Sequence, residues 1–516
     1  MTQIFTEVFM HRRRFLRNFL AGATALAFAP NLLRAEAAGN STATMFARSL
    51  ASHPWLEGWK TVGVESLGPT TATIEGRWPA ELTGTLYRNG PAWFDRAGLR
   101  YKHWFDGDGM MHAWRIGNDG IRHRARMIAT TKFEREQRAG RFLVPAVGTT
   151  IPGAESIRNN DDLNTANTSV IRIGDRLFAL WEAGSAIELD PDDLRTSGPI
   201  TWRGDLAAAP FSAHPLRDRD GSVWNFGSLN LLGGSGLMIW HLGSDGRLAK
   251  VATINDEQGG YLHSFAMSER YLVFVLTPYR MREGGEFFER MQFAPDLPCR
   301  VAVVPKDALD QPRWFDVDFG MVYHFADAFE RGNEIVVRAV RHSDIADARS
   351  PMAAAMRGEI APHGTPADLA ELHIDLGKGR VRWVATGIEG IEFPTFDPDA
   401  TSLRGSRIYA PIRVKPTVAP YSNAIASIDT MRGRRDVHSY GDSVLAEEHL
   451  FVPNPGRHRA GQGWLLGTVL DHRKGRSGLA VLDAEHVSDG PLAIAWLPYT
   501  FPLGFHGTFS SRVERL

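Results

Sequence analysis

The sequence predicts an all-β protein closed on itself. Three observations carry this: short strand-length apolar runs recur from about residue 62 to the C-terminus, no long amphipathic helices alternate with them, and turn formers are abundant, with 51 Gly and 29 Pro among 516 residues. The runs are Thr71–Ile74, Leu177–Trp181, Ser222–Phe226, Leu237–His241, Tyr271–Leu276, Val301–Val304, Glu334–Val340, Leu372–Ile374, Arg407–Ile412, Ala424–Ile428, Trp464–Leu470, Leu479–Leu482 and Ala493–Leu497. Gly-Asp, Asn-Asp-Gly, Ser-Asp-Gly and Asp-Pro turns punctuate them. A radial propeller of four-stranded blades uses some 450 residues this way without long exposed edges. Periodicity alone does not separate it from two sandwiches, and no WD or kelch repeat is present.

The N-terminus reads as an address. Residues 11–17, His-Arg-Arg-Arg-Phe-Leu-Arg, precede an Ala-rich apolar stretch to Leu33 and an Ala35-Glu36-Ala37 exit, the layout of a secretory signal over residues 1–37. Pro30 and Asn31 interrupt it too early for a membrane span. Arg12-Arg13-Arg14-Phe15-Leu16 resembles a twin-arginine signal, which is read by the translocase that exports folded proteins. The expected location is therefore the periplasm, with residues 38–516 as one domain. Nothing in that span reaches membrane-crossing length.

Composition removes several function classes. The chain has 58 basic and 59 acidic side chains, which gives no global electrostatic reason to bind nucleic acid. One cysteine, Cys299, excludes a disulfide framework and any cysteine-built metal cluster, so a metal must be held by His, Asp or Glu. No phosphate loop, GxSxG elbow or HExxH motif occurs. Asp106 and Asp108 in Phe105-Asp-Gly-Asp-Gly109 lack the later ligands of a calcium loop and read as a tight structural turn.

Non-strand segments are expected near residues 41–60, 277–296 and 343–370. The last holds Pro351-Met-Ala-Ala-Ala-Met356, either a short helix packed on the strand body or a greasy mouth for a lipophilic substrate. Phe287, Phe288, Phe293, Phe325, Phe329, Phe501 and Phe505 are candidates to line a tunnel, although core packing accounts for aromatics equally well.

Four of the 18 histidines sit in apolar or small-residue settings at strand-like positions: His214 in Phe211-Ser-Ala-His-Pro215, His263 in Tyr261-Leu-His-Ser-Phe265, His324 in Val322-Tyr-His-Phe325 and His506 in Gly504-Phe-His-Gly507. Singly, each is more often a hydrogen-bonded core or surface histidine than a ligand. Separations of 49, 61 and 182 residues carry no local metal signature. Only a fold that brings distant strands to one axis unites them.

Thr85-Leu-Tyr-Arg-Asn-Gly-Pro91, followed by His103-Trp-Phe-Asp-Gly-Asp-Gly-Met-Met-His112, resembles the opening signature of the carotenoid cleavage oxygenases, a family that includes retinoid isomerases and stilbene-cleaving dioxygenases. The resemblance continues in order through Asn167-Thr-Ser-Val170, Leu180-Trp-Glu-Ala-Gly184, Leu189-Asp-Pro191, the four histidine contexts, Glu392-Phe-Pro394 and Glu448-His-Leu-Phe-Val-Pro453, over about residues 60–510. It implies a seven-bladed β-propeller with a helical and loop dome over an axial metal site, and one Fe(II) per chain held by His214, His263, His324 and His506. Glu182, Glu392 and Glu448 are implied as carboxylates behind them, Glu448 being preferred to its neighbour Glu447 for its spacing. Thr168 matches a small residue facing the metal. Neutral imidazoles suit Fe(II), carboxylates orient their far N–H groups, and four protein ligands leave two octahedral positions open.

The implied reaction is dioxygenase cleavage of a C=C bond in a conjugated chain by O2, giving two carbonyl products. Hydroxystilbene cleavers of the family carry Lys before the first of these glutamates. Here Trp181 stands there, which favours a carotenoid or apocarotenoid over a lignostilbene-type substrate. An iron-free propeller used as a binding module is the reading from another class. The implied partners are a lipophilic polyene or stilbene, O2, a peripheral membrane contact and the twin-arginine translocase, with no nucleic acid.

Overall fold

The structure, a computed structural model, describes residues 42–515 except 233, 257, 361–364, 400–406 and 415–420. The expected signal segment, residues 1–37, lies outside the described residues. Seven sheets of four or five antiparallel strands account for most of the chain, the seven blades of a β-propeller. Blade two is built from strands starting at Ser169, Arg176, Ile187 and Thr196, blade three from those at Leu216, Val223, Leu237 and Leu248, and blade four from those at Ala266, Tyr271, Cys299 and Arg313. Blade five starts its strands at Met321, Glu334, Asp368 and Arg380, and blade six at Thr395, Ile408, Ala424 and Arg434.

The ring is closed twice. Blade one takes its innermost strand, Gly507–Ser510, from the C-terminus, paired with Gly84–Trp93. Blade seven, whose own strands begin at Val444, Gly463, Arg476 and Pro491, takes its outermost strand, Thr73–Gly76, from the N-terminal side. The run Thr71–Ile74, which reads as one strand in the sequence, is therefore the junction between two: Ser66–Thr71 edges blade one and Thr73–Gly76 edges blade seven.

One apolar cluster fills each gap between adjacent blades. In Tyr271–Leu276, Leu272, Phe274 and Leu276 pack toward blade three, whereas Val273 and Val275 pack toward blade five. Side chains alternate across a strand, so one buried on both faces is apolar along its whole length. That is why the blade strands read as continuous apolar runs. Cys299 belongs to the same packing, between blades four and five.

A dome covers one face: a helix over residues 42–52, a 3₁₀ turn Pro54–Trp59, and helices Thr131–Ala139 and Ile345–Arg357. Phe46, Trp55, Trp59, Trp104, Met356 and Phe505 share its core. The segment expected to lack strands near 277–296 contains a short hairpin, Tyr279–Met281 with Met291–Phe293, flanking the helical turn Phe287–Arg290. Among the described residues no helix is long and apolar enough to cross a membrane.

Candidate metal centre

In every blade the innermost strand, or the residues leading into it, supplies a residue to the centre. His506 directly precedes Gly507–Ser510 in blade one, Thr168 precedes Ser169–Ile173 in blade two, His214 leads into Leu216–Arg217 in blade three and His263 into Ala266–Met267 in blade four. His324 lies within the inner strand of blade five, Glu392 just before that of blade six, and Glu448 within that of blade seven. Of the four histidines expected at strand positions, only His324 is in a strand. The two residues inside strands sit at bulges, where the register shifts between Val322 and Phe325 and between Ala446 and His449. A bulge re-aims side chains that strict alternation would send to opposite faces.

One ring nitrogen from each of His214, His263, His324 and His506 falls in a group whose members all lie within 4.8 Å of one another. His214 Nε2 and His263 Nε2 are 2.8 Å apart. Two observations test whether the residues fit a metal. Nitrogens bonded to one ion at about 2 Å lie within about 4 Å of each other, so the group closes round a single ion with small side-chain adjustments. His324 Nε2 is buried and has no hydrogen-bond partner, a cost that coordination removes. Burial, together with the neighbouring histidines, also holds His214 well below the usual imidazole range, and burial brings His506 down to about 4 against the opposing pull of Glu448. Neutral imidazole is the ligating form.

The carboxylates stand behind three of the rings. His506 Nδ1 lies 2.9 Å from Glu448 Oε1, and His324 Nδ1 lies 2.5 Å from Glu392 Oε2. His263 Nδ1 faces Glu182 Oε1 at 3.6 Å, beyond hydrogen-bonding distance, and neither atom has another hydrogen-bond partner. Burial pushes the Glu392 and Glu448 carboxyls up, but the histidines and, for Glu448, Arg88 outweigh it and hold both below the usual range. Glu447 does not reach His506. It bonds Thr468, the backbone of Gly504 and Arg88.

The Arg88-Asn89-Gly90 motif shows no function in the sequence. Arg88 is buried and reaches Glu448 at 3.0 Å and Glu447 at 3.4 Å. The Asn89 backbone donates to His506 O and accepts from Phe505 N, while its amide donates to Ala166 O and Ser169 O, both at 2.8 Å, on either side of Thr168. A Cβ on Gly90 would meet Gly504 Cα at 2.3 Å, so only glycine lets the two segments touch. The motif is the brace that joins His506, Glu448 and Thr168. Two further residues carried no role in the sequence: His342, which shares Glu392 at 2.7 Å, and Phe393. Phe393 has φ 49° and sets its ring 4.9 Å from His324 and 5.0 Å from His506. A left-handed aromatic residue is uncommon, and its cost of about 1–3 kcal/mol is met by the surrounding packing.

Three of the four, His263, His324 and His506, line a largely apolar cavity of about 430 Å³. Thr168, Trp181, Phe287, Phe288 and Phe505 line it, whereas Phe293, Phe325, Phe329 and Phe501 do not. Phe325, for example, packs between blades four and five, and Phe501 between blades seven and one. The two readings of the Pro351–Met356 patch merge: it belongs to the helix Ile345–Arg357, Ala355 and Met356 pack into the dome core, and Pro351 and Met352 face the cavity. Asp106 and Asp108 are structural as expected. Asp106 accepts from Gly148 N and Thr149 Oγ1, and Asp108 from Arg96 and Lys132.

Comparison with known proteins agrees with this architecture. The family model RPE65, retinal pigment epithelial membrane protein, matches residues 60–511. The chain is 29% identical to the apocarotenoid-15,15'-oxygenase of Synechocystis sp. over 90% of this chain and 97% of that protein. It is 26% identical to resveratrol cleavage oxygenase 1 of Aspergillus fumigatus, over 75% and 81% respectively, and 25% identical to the isoeugenol monooxygenase of Pseudomonas nitroreducens, over 85% and 94%. The solved structure of the cobalt-substituted Synechocystis enzyme superposes with a TM-score of 0.77 at 27% identity, covering 89% of this chain and 98% of that one. With one family model spanning nearly the whole propeller and named oxygenases aligned along most of its length, the chain belongs to the RPE65, or carotenoid cleavage oxygenase, family and is an oxygenase of that type.

Proposed function

We propose that this protein is a non-haem Fe(II) dioxygenase that cleaves one C=C bond of a carotenoid or apocarotenoid to give two carbonyl products. The observation that carries the reading is the convergence of His214, His263, His324 and His506 on one point, with three of them, His263, His324 and His506, on the wall of an apolar cavity. Fe(II) held by these four imidazoles would supply the activation of O2. The chain's own part is to bind and to orient. Glu392 and Glu448 keep the Nδ1 protons of His324 and His506 in place, which presents each Nε2 to the centre. The apolar wall excludes water and holds an extended polyene so that one double bond lies at the histidines.

Trp181, on the cavity wall directly before Glu182, supports a polyene over a phenolic substrate, because it offers an apolar face and no charge. Thr168, Trp181 and Glu182 also have the order and spacing of the Thr, Trp and Glu replaced in three solved variants of the Synechocystis apocarotenoid oxygenase. A hydroxystilbene is the second reading, supported by the likeness to a resveratrol cleavage oxygenase. The test loads the protein with Fe(II) in air, offers β-carotene, an apocarotenal and a hydroxystilbene in parallel, and identifies aldehydes by mass. Product from the hydroxystilbene alone selects the second reading, and product from none selects a binding module. We also propose periplasmic export through Arg12–Arg14. Its test is cell fractionation of the wild type beside a variant with Lys at Arg12, Arg13 and Arg14, and a cytoplasmic wild type overturns it.

A further inference from the structure

Of the charged side chains that line the cavity, four face a partner, three of them through hydrogen bonds, and one does not. Asp106 accepts from the backbone of Gly148 at 2.9 Å and the hydroxyl of Thr149 at 2.6 Å. Lys132 donates to Tyr101, Asp108 and Glu136 within 3.0 Å. Glu182 faces His263, and Glu392 is shared by His324 and His342. Arg413 lines the same cavity and makes no hydrogen bond or ion pair with any described residue.

The backbone fixes where this cation stands. Arg413 directly follows the second strand of blade six, Ile408–Ile412, and Ile412 bridges Ile391, the neighbour of Glu392. Gly390, Ile391 and Glu392 line the same cavity, so Arg413 follows directly on a strand bridged to the segment that carries Glu392. The residue is exposed to solvent, and the partial burial it does have pulls its pKa down from the usual value. Arginine keeps its charge in such a setting, and its planar fork matches a carboxylate with two parallel hydrogen bonds.

We propose that Arg413 anchors the oxygen-bearing end of the substrate and that this end is a carboxylate, so that the preferred substrate class is a polyene acid, an apocarotenoid shortened to a terminal –CO2⁻. This rests on the polyene reading given above. A carboxylate is ionised at neutral pH and takes both arms of the fork, an aldehyde offers one neutral acceptor, and a hydrocarbon offers none. A phenol, with a pKa near 10 in its ordinary form, is uncharged at that pH. One anchored end also sets the register of the chain against the histidines, so the anchor takes part in choosing which double bond is cleaved.

The test measures equilibrium binding to the iron-loaded full chain under argon, where no turnover occurs, by quenching of tryptophan fluorescence. Three ligands share one polyene: the acid, its methyl ester and the aldehyde. Wild type is expected to bind the acid about tenfold more tightly than the ester, a modest factor for a charge-assisted pair that solvent partly screens. Arg413→Gln is expected to remove that difference and leave ester binding unchanged, and Arg413→Lys to retain part of it. Equal binding of acid and ester by wild type, or an acid preference that survives in Arg413→Gln, overturns the proposal. A fourth ligand, 4-hydroxystilbene, overturns the choice of a polyene acid if it binds more tightly than the acid and depends on Arg413. Failure of all three polyenes to bind overturns the polyene reading itself, an outcome distinct from loss of the acid preference.

Discussion

Glu392 and His342 form a hydrogen bond of 2.7 Å, and the other oxygen of the same carboxylate lies 2.5 Å from Nδ1 of His324. An ionised carboxylate only accepts, so both imidazoles donate to it. The tautomer of His324 follows: its proton sits on Nδ1, and the buried, unpartnered Nε2 is left as a lone-pair donor. His342 is therefore a positioning residue for the centre, acting through Glu392.

Glu392→Gln retains one acceptor oxygen but turns an NH2 toward the second imidazole. Metal affinity is expected to fall about 10–100-fold, the usual cost of losing a group that orients a ligand. His342→Phe is expected to fall on the same side with a smaller effect, whereas His263→Ala loses the metal outright. Metal content after gel filtration, with far-UV circular dichroism to verify folding, reads all three. Full occupancy in the His263 variant removes that residue from the ligand set.

Arg88→Met leaves Glu447 and Glu448 buried without their cation. Removing one member of such a buried group costs about 3–5 kcal/mol, so the guanidinium unfolding midpoint should move sharply downward. A midpoint within error of wild type would show that water reaches these carboxylates.

Acid should destabilise the metal-free protein before its ordinary carboxylates titrate. Burial, the largest cause in each case, brings His103 and His112 down to about 3 and holds His123 well below the usual 6.5. Below 6.5 the unfolded chain takes up protons that the folded chain refuses. Stability present above 6.5 is therefore lost as pH falls, at about 1.4 kcal/mol per pH unit for each independent histidine. Asp106 works in the opposite direction. Burial raises it to about 7 from 3.8, so between those values the folded state holds a proton that the unfolded state releases, and stability is gained as pH falls. The net expectation is a falling melting temperature from pH 6.5 to about 4.5, flattened in His103→Asn and steepened in Asp106→Asn. A flat wild-type profile over that window would contradict the burial of these histidines.

Trp181→Lys places an ammonium beside Glu182 on the cavity wall. Cleavage of an apocarotenal should fall about tenfold or more with the loss of apolar contact, and turnover of 4-hydroxystilbene should rise. Chromatography of the aldehyde products compares the two. An unchanged product ratio would mean that this wall does not select the substrate.

The fold class and the residue types of the centre are legible in the amino-acid sequence. Strands buried on both faces must be apolar along their length, so the runs that became blades are visible without any partner, and one cysteine left imidazole and carboxylate as the available donors. The family signature supplied seven blades and named the four histidines. Contact is not legible there. His214 and His263 are 49 residues apart, yet their nitrogens lie 2.8 Å from each other, because the propeller brings the starts of its inner strands to one axis. The bulge at Ala446–His449 turns both Glu447 and Glu448 inward and gives His506 to the second of them, a choice that alternation along a strand does not make. Arg88 stands inside the family signature and His342 outside it, yet neither shows its role in the sequence, since that role lies in which carboxylate each faces across the ring, set by packing between blades rather than by neighbours in the chain.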